Sequence, residues 1–174
     1  MKKLLFTIVI GLGLLTTHAQ VQKLSGPRIG LTFVTEGIAA DFINEGFDYV
    51  DDDNYINGET GSAIISQYGW QWESRFADGG GDISGIVEWV ALVGGMEKGL
   101  FLPSLSSVIG LRNSNGLEFG VGPNLSLSGI GMIFAIGHNF KSGSLNLPVN
   151  LVFVPGRNES GSRISLMVGF NMVK

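Results

Sequence analysis

The chain has 174 residues, 27 of them glycine, and a formal net charge of −4. Because it has no cysteine, it has no disulfide framework. Its length suits one domain, and the lack of a basic run argues against nucleic acid as a partner.

Residues 1–19 predict a secretory signal peptide. Lys2 and Lys3 precede an apolar run that ends at Leu15, and the small residue Ala19 marks the expected cleavage site. The apolar run is shorter than the roughly 20 residues that span a bilayer as a helix. We therefore expect export across the inner membrane and a mature domain over residues 20–174.

Residues 28–35 alternate between apolar and polar side chains, which predicts the first strand. The alternation then stops, and residues 36–60 carry many acidic residues without a Lys or Arg. This pattern predicts a long acidic loop with a short helix around residues 38–43. Hard cations prefer clustered carboxylates, so weak divalent-cation ligands are expected among Asp48, Asp51, Asp52, Asp53 and Glu59. Because their spacing does not fit an EF-hand, a solvated loop is the preferred interpretation, and no resident metal or cofactor is expected.

Seven more strands are predicted, over residues 63–76, 83–93, 101–112, 117–128, 131–141, 144–154 and 163–173. The fifth strand has the clearest alternation. Its apolar set is Leu117, Phe119, Val121, Pro123, Leu125 and Leu127, and its polar set is Glu118, Gly120, Gly122, Asn124, Ser126 and Ser128. Twelve alternating residues exceed the roughly 5–6 of an ordinary globular strand and suit the roughly 9–11 of a membrane-spanning strand.

Hairpin parity predicts how these strands pair, since paired residues lie on the same face. A turn at residues 114–116 places Arg112 opposite Glu118. Turns at residues 129–130 and 142–143 then place Glu118 opposite Lys141, and Asn139 opposite Asn146. The resulting inner face is polar and charge-balanced, while the outer face is apolar.

This partition predicts an all-β fold, an eight-stranded antiparallel up-and-down transmembrane β-barrel with a long first extracellular loop. Outward aromatic residues are expected to form membrane-interface girdles, namely Tyr68, Trp70, Trp72, Phe119, Phe140 and Phe170. The alternative is a soluble periplasmic barrel that buries these aromatics and binds a small apolar ligand.

A row of lumen charges is predicted from Arg112, Glu118 and Lys141. Neighbouring opposite charges avoid the several kcal/mol that one unpaired buried charge would cost, so filling the lumen is preferred over an ion-conducting gate. We expect Glu118→Ala to lower resistance to unfolding more than the loop change Glu97→Ala.

With this architecture and pattern, the chain resembles small eight-stranded outer-membrane proteins of the OmpA, OmpX and OmpW type. The resemblance implies a location in the outer membrane, contact with its lipids and lipopolysaccharide, insertion by the barrel assembly machinery, and a monomer. Members often end in an aromatic residue, and Phe170 would serve here from an offset position.

The expected function is non-enzymatic, either structural or surface-interacting through the acidic loop 36–60. His138 is the only histidine after the signal, and parity places it on the outer face beside Phe134 and Phe140. This environment argues against a general base. A lipid-modifying enzyme is the alternative from the enzyme class.

Overall fold

The computed structural model describes residues 22–46, 61–78, 82–157 and 159–173. Its elements are β1 (Lys23–Val34), α1 (Ile38–Glu45), β2 (Ala63–Asp78), β3 (Ile83–Gly94), a 3₁₀ helix (Met96–Lys98), β4 (Leu102–Asn113), β5 (Leu117–Ser126), β6 (Gly129–Ser142), β7 (Leu145–Val154), β8 (Arg163–Gly169) and β9 (Asn171–Val173). Only Phe170 separates β8 from β9, so the two form one interrupted strand. Within these ranges, no helix is long and apolar enough to cross a membrane. The predicted signal peptide lies outside the described residues.

The strands close into a ring. Each strand pairs antiparallel with the next, and β1 pairs with both β2 and the interrupted strand β8–β9. A path that steps from each residue to its paired residue on the next strand returns to β1 about ten residues from its starting point. This stagger corresponds to strands tilted by roughly 45° from the barrel axis. The predicted eight-stranded antiparallel barrel is confirmed, and closure leaves no unpaired sheet edge among the described strands.

The two ends of the barrel differ. At the loop end, residues 35–62, 95–101, 127–128 and 155–162 connect the strands. At the turn end, the connections are residues 79–82, 114–116 and 143–144, and both termini of the barrel lie there. The predicted helix is confirmed and is longer than expected. Its residues Ala40 and Ile43 are buried at the loop end.

The outer surface is apolar all around the ring. Leu31 is 60% exposed, Phe119 56% and Leu166 53%, and every strand from β1 to β8 contributes such side chains. Charged side chains take the opposite face: Glu73 and Arg112 are only 1% and 2% exposed. The inward and outward sets predicted from parity are therefore confirmed for these strands.

The interior is not polar throughout, which corrects the sequence-based expectation. Val108, Ile133 and Val154 form one buried apolar cluster. A second cluster lies under α1 at the loop end and comprises Val34, Ala40, Ile43, Ala63, Ile65 and Leu100. Because α1 shields inward positions at the loop end from water, apolar side chains are stable there.

The predicted register is partly right. Arg112 does pair with Glu118. The predicted pairing of Glu118 with Lys141 is wrong, because Glu118 pairs with Gly137 and Lys141 pairs with Asn146.

Two hairpin turns explain the shift. Residues 127–128 form the turn between β5 and β6, and Gly129 follows them with φ of 101°. Residues 143–144 form the next turn, with Gly143 first at φ of 62°. Both glycines adopt left-handed backbone at positions where hairpins favour glycine. Asn139 accordingly pairs with Pro148, yet it still donates a diagonal hydrogen bond to Asn146 (3.2 Å).

Candidate functional site

Arg112 is the centre of a buried ion cluster on the turn-end side of the interior. It projects inward from β4, and Glu118 lies opposite it on β5. Its Nε donates to Glu118 Oε2 (2.7 Å), and its Nη1 and Nη2 donate to the two carboxylate oxygens of Glu73 on β2 (2.5 and 2.9 Å). The planar guanidinium therefore binds two carboxylates at once, a geometry that Lys cannot reproduce.

Further side chains extend the cluster across the lumen. Glu88 on β3 lies 3.6 Å from Arg112 Nη2 and accepts a hydrogen bond from Gln71 Nε2 (2.7 Å). Gln71 Oε1 accepts from Arg28 Nε, and Arg28 Nη1 donates to the Pro148 carbonyl (3.0 Å). We call this set the interior network: Arg28, Gln71, Glu73, Glu88, Arg112, Glu118 and Asn150, whose Nδ2 donates to Glu118 Oε1 (2.5 Å).

The interior network joins side chains from β1 to β5 and from β7, so it crosses the barrel. It holds two guanidinium groups and three carboxylates, all buried. Hydrogen bonds offset the desolvation of these charges, and loss of one partner would leave others buried without compensation.

The structure separates the three residues of the predicted charge row. Arg112 and Glu118 lie in the interior network, while Lys141 is exposed near the end of β6. Pairing arguments missed Glu73, Glu88 and Arg28. The alternation of their strands does predict that Glu73 and Arg28 face inward. However, contacts across the lumen join strands that are not neighbours, and hairpin register carries no information about such contacts.

The predicted girdle aromatics all face outward and are 42% to 56% exposed. Tyr68, Trp70 and Trp72 follow one another along the middle of β2, and Trp72 pairs with Trp89. The phenylalanines Phe119, Phe140 and Phe170 lie closer to the turn end of their strands. The six residues therefore occupy more than one level of the barrel.

His138 lies on the outer face, with its ring 4.4 Å from that of Phe140. Its Nδ1 has no hydrogen-bond partner among the described residues. In the described parts of the chain, no group of three or more His, Asp or Glu is placed to hold a metal ion. The predicted cation ligands Asp48, Asp51, Asp52, Asp53 and Glu59 lie outside the described residues.

Two cavities lie on the loop-end side of the interior network. The smaller, about 70 Å³, lies in the lumen between Arg28, Glu88 and the apolar cluster around Val108. The larger, about 740 Å³, opens at the loop end, and we call it the mouth cavity.

The 3₁₀ helix is hydrogen-bonded to the loop end of β2. Glu97 accepts hydrogen bonds from the backbone N–H of Ser66 (2.6 Å) and from its hydroxyl (2.5 Å). Desolvation opposes ionisation, but the two hydrogen bonds from Ser66 together outweigh it and hold the pKa of Glu97 below its usual value. Lys98 Nζ donates to Asn44 of α1 (2.9 Å), so the same helix also contacts α1.

The chain matches no family model and no curated protein. Solved structures with a similar fold include a de novo designed transmembrane β-barrel, which is 14% identical over 88% of this chain and 95% of its own, with a TM-score of 0.45. They also include Ail, the attachment invasion locus protein of Yersinia pestis, in complex with the heparin analogue sucrose octasulfate, which is 12% identical over 88% of this chain and 99% of its own (TM-score 0.30). These similarities are too weak to inform function, and the eight-stranded barrel rests on its closed ring of strand pairs.

Proposed function

We propose that this chain is a non-enzymatic barrel of the outer membrane with a filled lumen, and that its loop end makes contacts outside the cell. The observation behind the proposal is the distribution of side chains around a closed barrel. Apolar residues cover the outside, and the ionic residues that water would solvate are turned inward. Such a surface is stable in lipid, where apolar side chains meet hydrocarbon, and it would aggregate in water.

The proposal extends to biogenesis and surroundings. The signal peptide 1–19 would direct export, the barrel assembly machinery would insert the monomer, and lipopolysaccharide and phospholipid would surround the apolar surface. The short connections at the turn end suit the periplasmic side, and the longer segments at the loop end, including the acidic loop 36–60, suit the outside.

A pair of matched substitutions tests the membrane location. Ile136 lies in the middle of β6 and is 51% exposed, while Leu127 lies in the loop-end turn and is 67% exposed. In a lipid-embedded barrel, a lysine near the bilayer midplane costs roughly 2–4 kcal/mol, and near zero to 1 kcal/mol close to the interface. Ile136→Lys should therefore prevent or weaken folding into vesicles, while Leu127→Lys should have little effect.

The readout is the fraction of folded protein on a heat-shift gel, together with fractionation of expressing cells. We expect the wild type in the outer-membrane fraction and extractable only with detergent. Release into aqueous buffer without detergent, or equal behaviour of the two lysine variants, would refute the proposal.

A filled lumen has its own test. The interior network spans the barrel, so the protein in planar bilayers should show no steady conductance. A stable ohmic current that scales with the number of inserted barrels would contradict the filled lumen, even if the membrane location held.

A further inference from the structure

The mouth cavity combines apolar walls with positive charge. Its apolar lining comes from α1 and from the nearby strand ends, and includes Ile38, Phe42, Ile43, Ile65, Leu102 and Leu127. Two arginines, Arg157 and Arg163, also line it, and none of the described residues that line it is Asp or Glu. The volume of about 740 Å³ lies within the roughly 300–1,000 Å³ of small-molecule sites.

Arg163 is the better placed of the two cations. It projects inward from the first position of β8, where Nη1 donates to Ser126 Oγ (2.9 Å) and Nη2 donates to Asn124 Oδ1 (3.1 Å). Both acceptors are neutral. They fix the guanidinium at the wall of the cavity and leave other N–H groups of its five donors available.

Neither arginine has a carboxylate partner among the described residues, where every ion pair involves Arg112. Arg157 Nη1 donates to the Ile130 carbonyl on β6 (3.0 Å), which holds this second cation across the rim. The three carboxylates of the interior network are already bound to Arg112. An anion bound in the mouth cavity would give Arg157 and Arg163 the negatively charged partner that they lack among the described residues.

We propose that the mouth cavity binds a single-chain anionic amphiphile, with its carboxylate or phosphate head on Arg163 and its alkyl chain against α1. The head group follows from the Arg163 guanidinium, which has only neutral acceptors among the described residues, and the alkyl chain follows from the apolar side chains facing it. The volume suits one alkyl chain with its head and is too small for a two-chain phospholipid. This site is separate from the interior network and does not depend on whether the lumen conducts.

The test uses the full chain in phosphatidylcholine nanodiscs and radiolabelled dodecanoate in equilibrium dialysis, with empty nanodiscs as the blank. We expect saturable binding above the blank. Loss of a charge-assisted hydrogen bond should lower the affinity about tenfold in Arg163→Gln. The matched control is Arg75→Gln, the same change on β2 near the turn end, which should bind as the wild type does.

A second variant and a set of competitors separate the contributions of head and chain. Ile38 is an exposed residue of α1 that lines the cavity, so Ile38→Glu adds a repelling charge and should also weaken binding. Dodecyl phosphate should displace dodecanoate, while dodecanol and acetate should not.

Several results would overturn the proposal. One is the absence of saturable dodecanoate binding, and another is equal affinity of Arg163→Gln and wild type for dodecanoate. A third is displacement of dodecanoate by dodecanol as effectively as by dodecyl phosphate. The last is loss of dodecanoate binding when phosphatidic acid is added to the nanodisc. The last result would make a membrane lipid the occupant. A heat-shift gel verifies folding, and if Arg163→Gln does not fold, Ile38→Glu and the competitors decide. Failure of the membrane location would appear in cell fractionation instead.

Discussion

Removal of Arg112 should be among the most damaging changes to this barrel. Arg112→Met keeps much of the side-chain length and removes the charge that Glu73, Glu88 and Glu118 share. The side chains of these three residues are at most 10% exposed, so water compensates little of their charge. Breaking a buried ion pair costs about 3–5 kcal/mol, which reduces the ratio of folded to unfolded protein by a factor of at least about a hundred.

The assay is equilibrium unfolding by urea in detergent micelles, followed by tryptophan fluorescence and by heat-shift gels. With a urea dependence of about 1–3 kcal/mol per molar, the midpoint should fall by at least about 1 M. Arg157→Met is the matched control, since Arg157 has no ion pair among the described residues, and its midpoint should stay near that of the wild type.

A combined variant distinguishes stranded charges from lost packing. Arg112→Met together with Glu73→Gln and Glu118→Gln removes two of the carboxylates that Arg112 leaves behind, so it should recover part of the lost stability. Equal midpoints for Arg112→Met and Arg157→Met would refute the assignment of Arg112 as the centre of the interior network. If the combined variant were less stable than Arg112→Met alone, stranded charge would not be the cause.

Four further predictions can be checked with the same material. Glu118→Ala should cost more stability than Glu97→Ala, because Glu118 is buried between Arg112 and Asn150. Equal urea midpoints would contradict this. The pKa of Glu97 is lowered in the folded state, so its contribution to the free energy of unfolding is present above the unfolded pKa and is lost as pH falls through the folded pKa. The stability difference between wild type and Glu97→Gln should therefore shrink on acidification, and a difference that grows would contradict this prediction. Gly122→Ala should prevent folding because its Cβ would lie 1.8 Å from the Ser107 carbonyl oxygen. Gly129→Ala meets no atom within 4 Å and should cost only the backbone strain of about 1–3 kcal/mol, so comparable heat-shift yields for the two variants would count against this. Brominated phosphatidylcholine should quench tryptophan fluorescence less in Trp72→Phe than in wild type, and unchanged quenching would argue against lipid contact at this side chain.

The faces of the strands were predictable from sequence because alternation has a period of two. The hairpin turns were misplaced by two residues at most, and the pairing of Glu118 moved from Lys141 to Gly137. Such a shift is even, so the side chains of these paired strands stayed on their predicted faces. An odd shift would have exchanged lipid-facing and lumen-facing residues.

The contacts across the lumen were not predictable in the same way. Glu73 binds Arg112 from β2, a strand that does not pair with β4, and this proximity depends on barrel diameter and strand tilt. The apolar cluster under α1 was missed because it depends on how a helix folds over the rim. The bulge between Arg75 and Ala77 in β2 left no clear sign in the alternation.

The connections at the loop end differ in length. The two-residue connection at Leu127–Ser128 is the shortest, while the first connection carries α1. A short peptide tag inserted at Leu127–Ser128 would be displayed beside the mouth cavity, which Leu127 lines. Antibody binding to such a tag on intact cells would report that the loop end faces the outside. If a bound amphiphile reduced antibody binding, the same tag would also report occupancy of the mouth cavity.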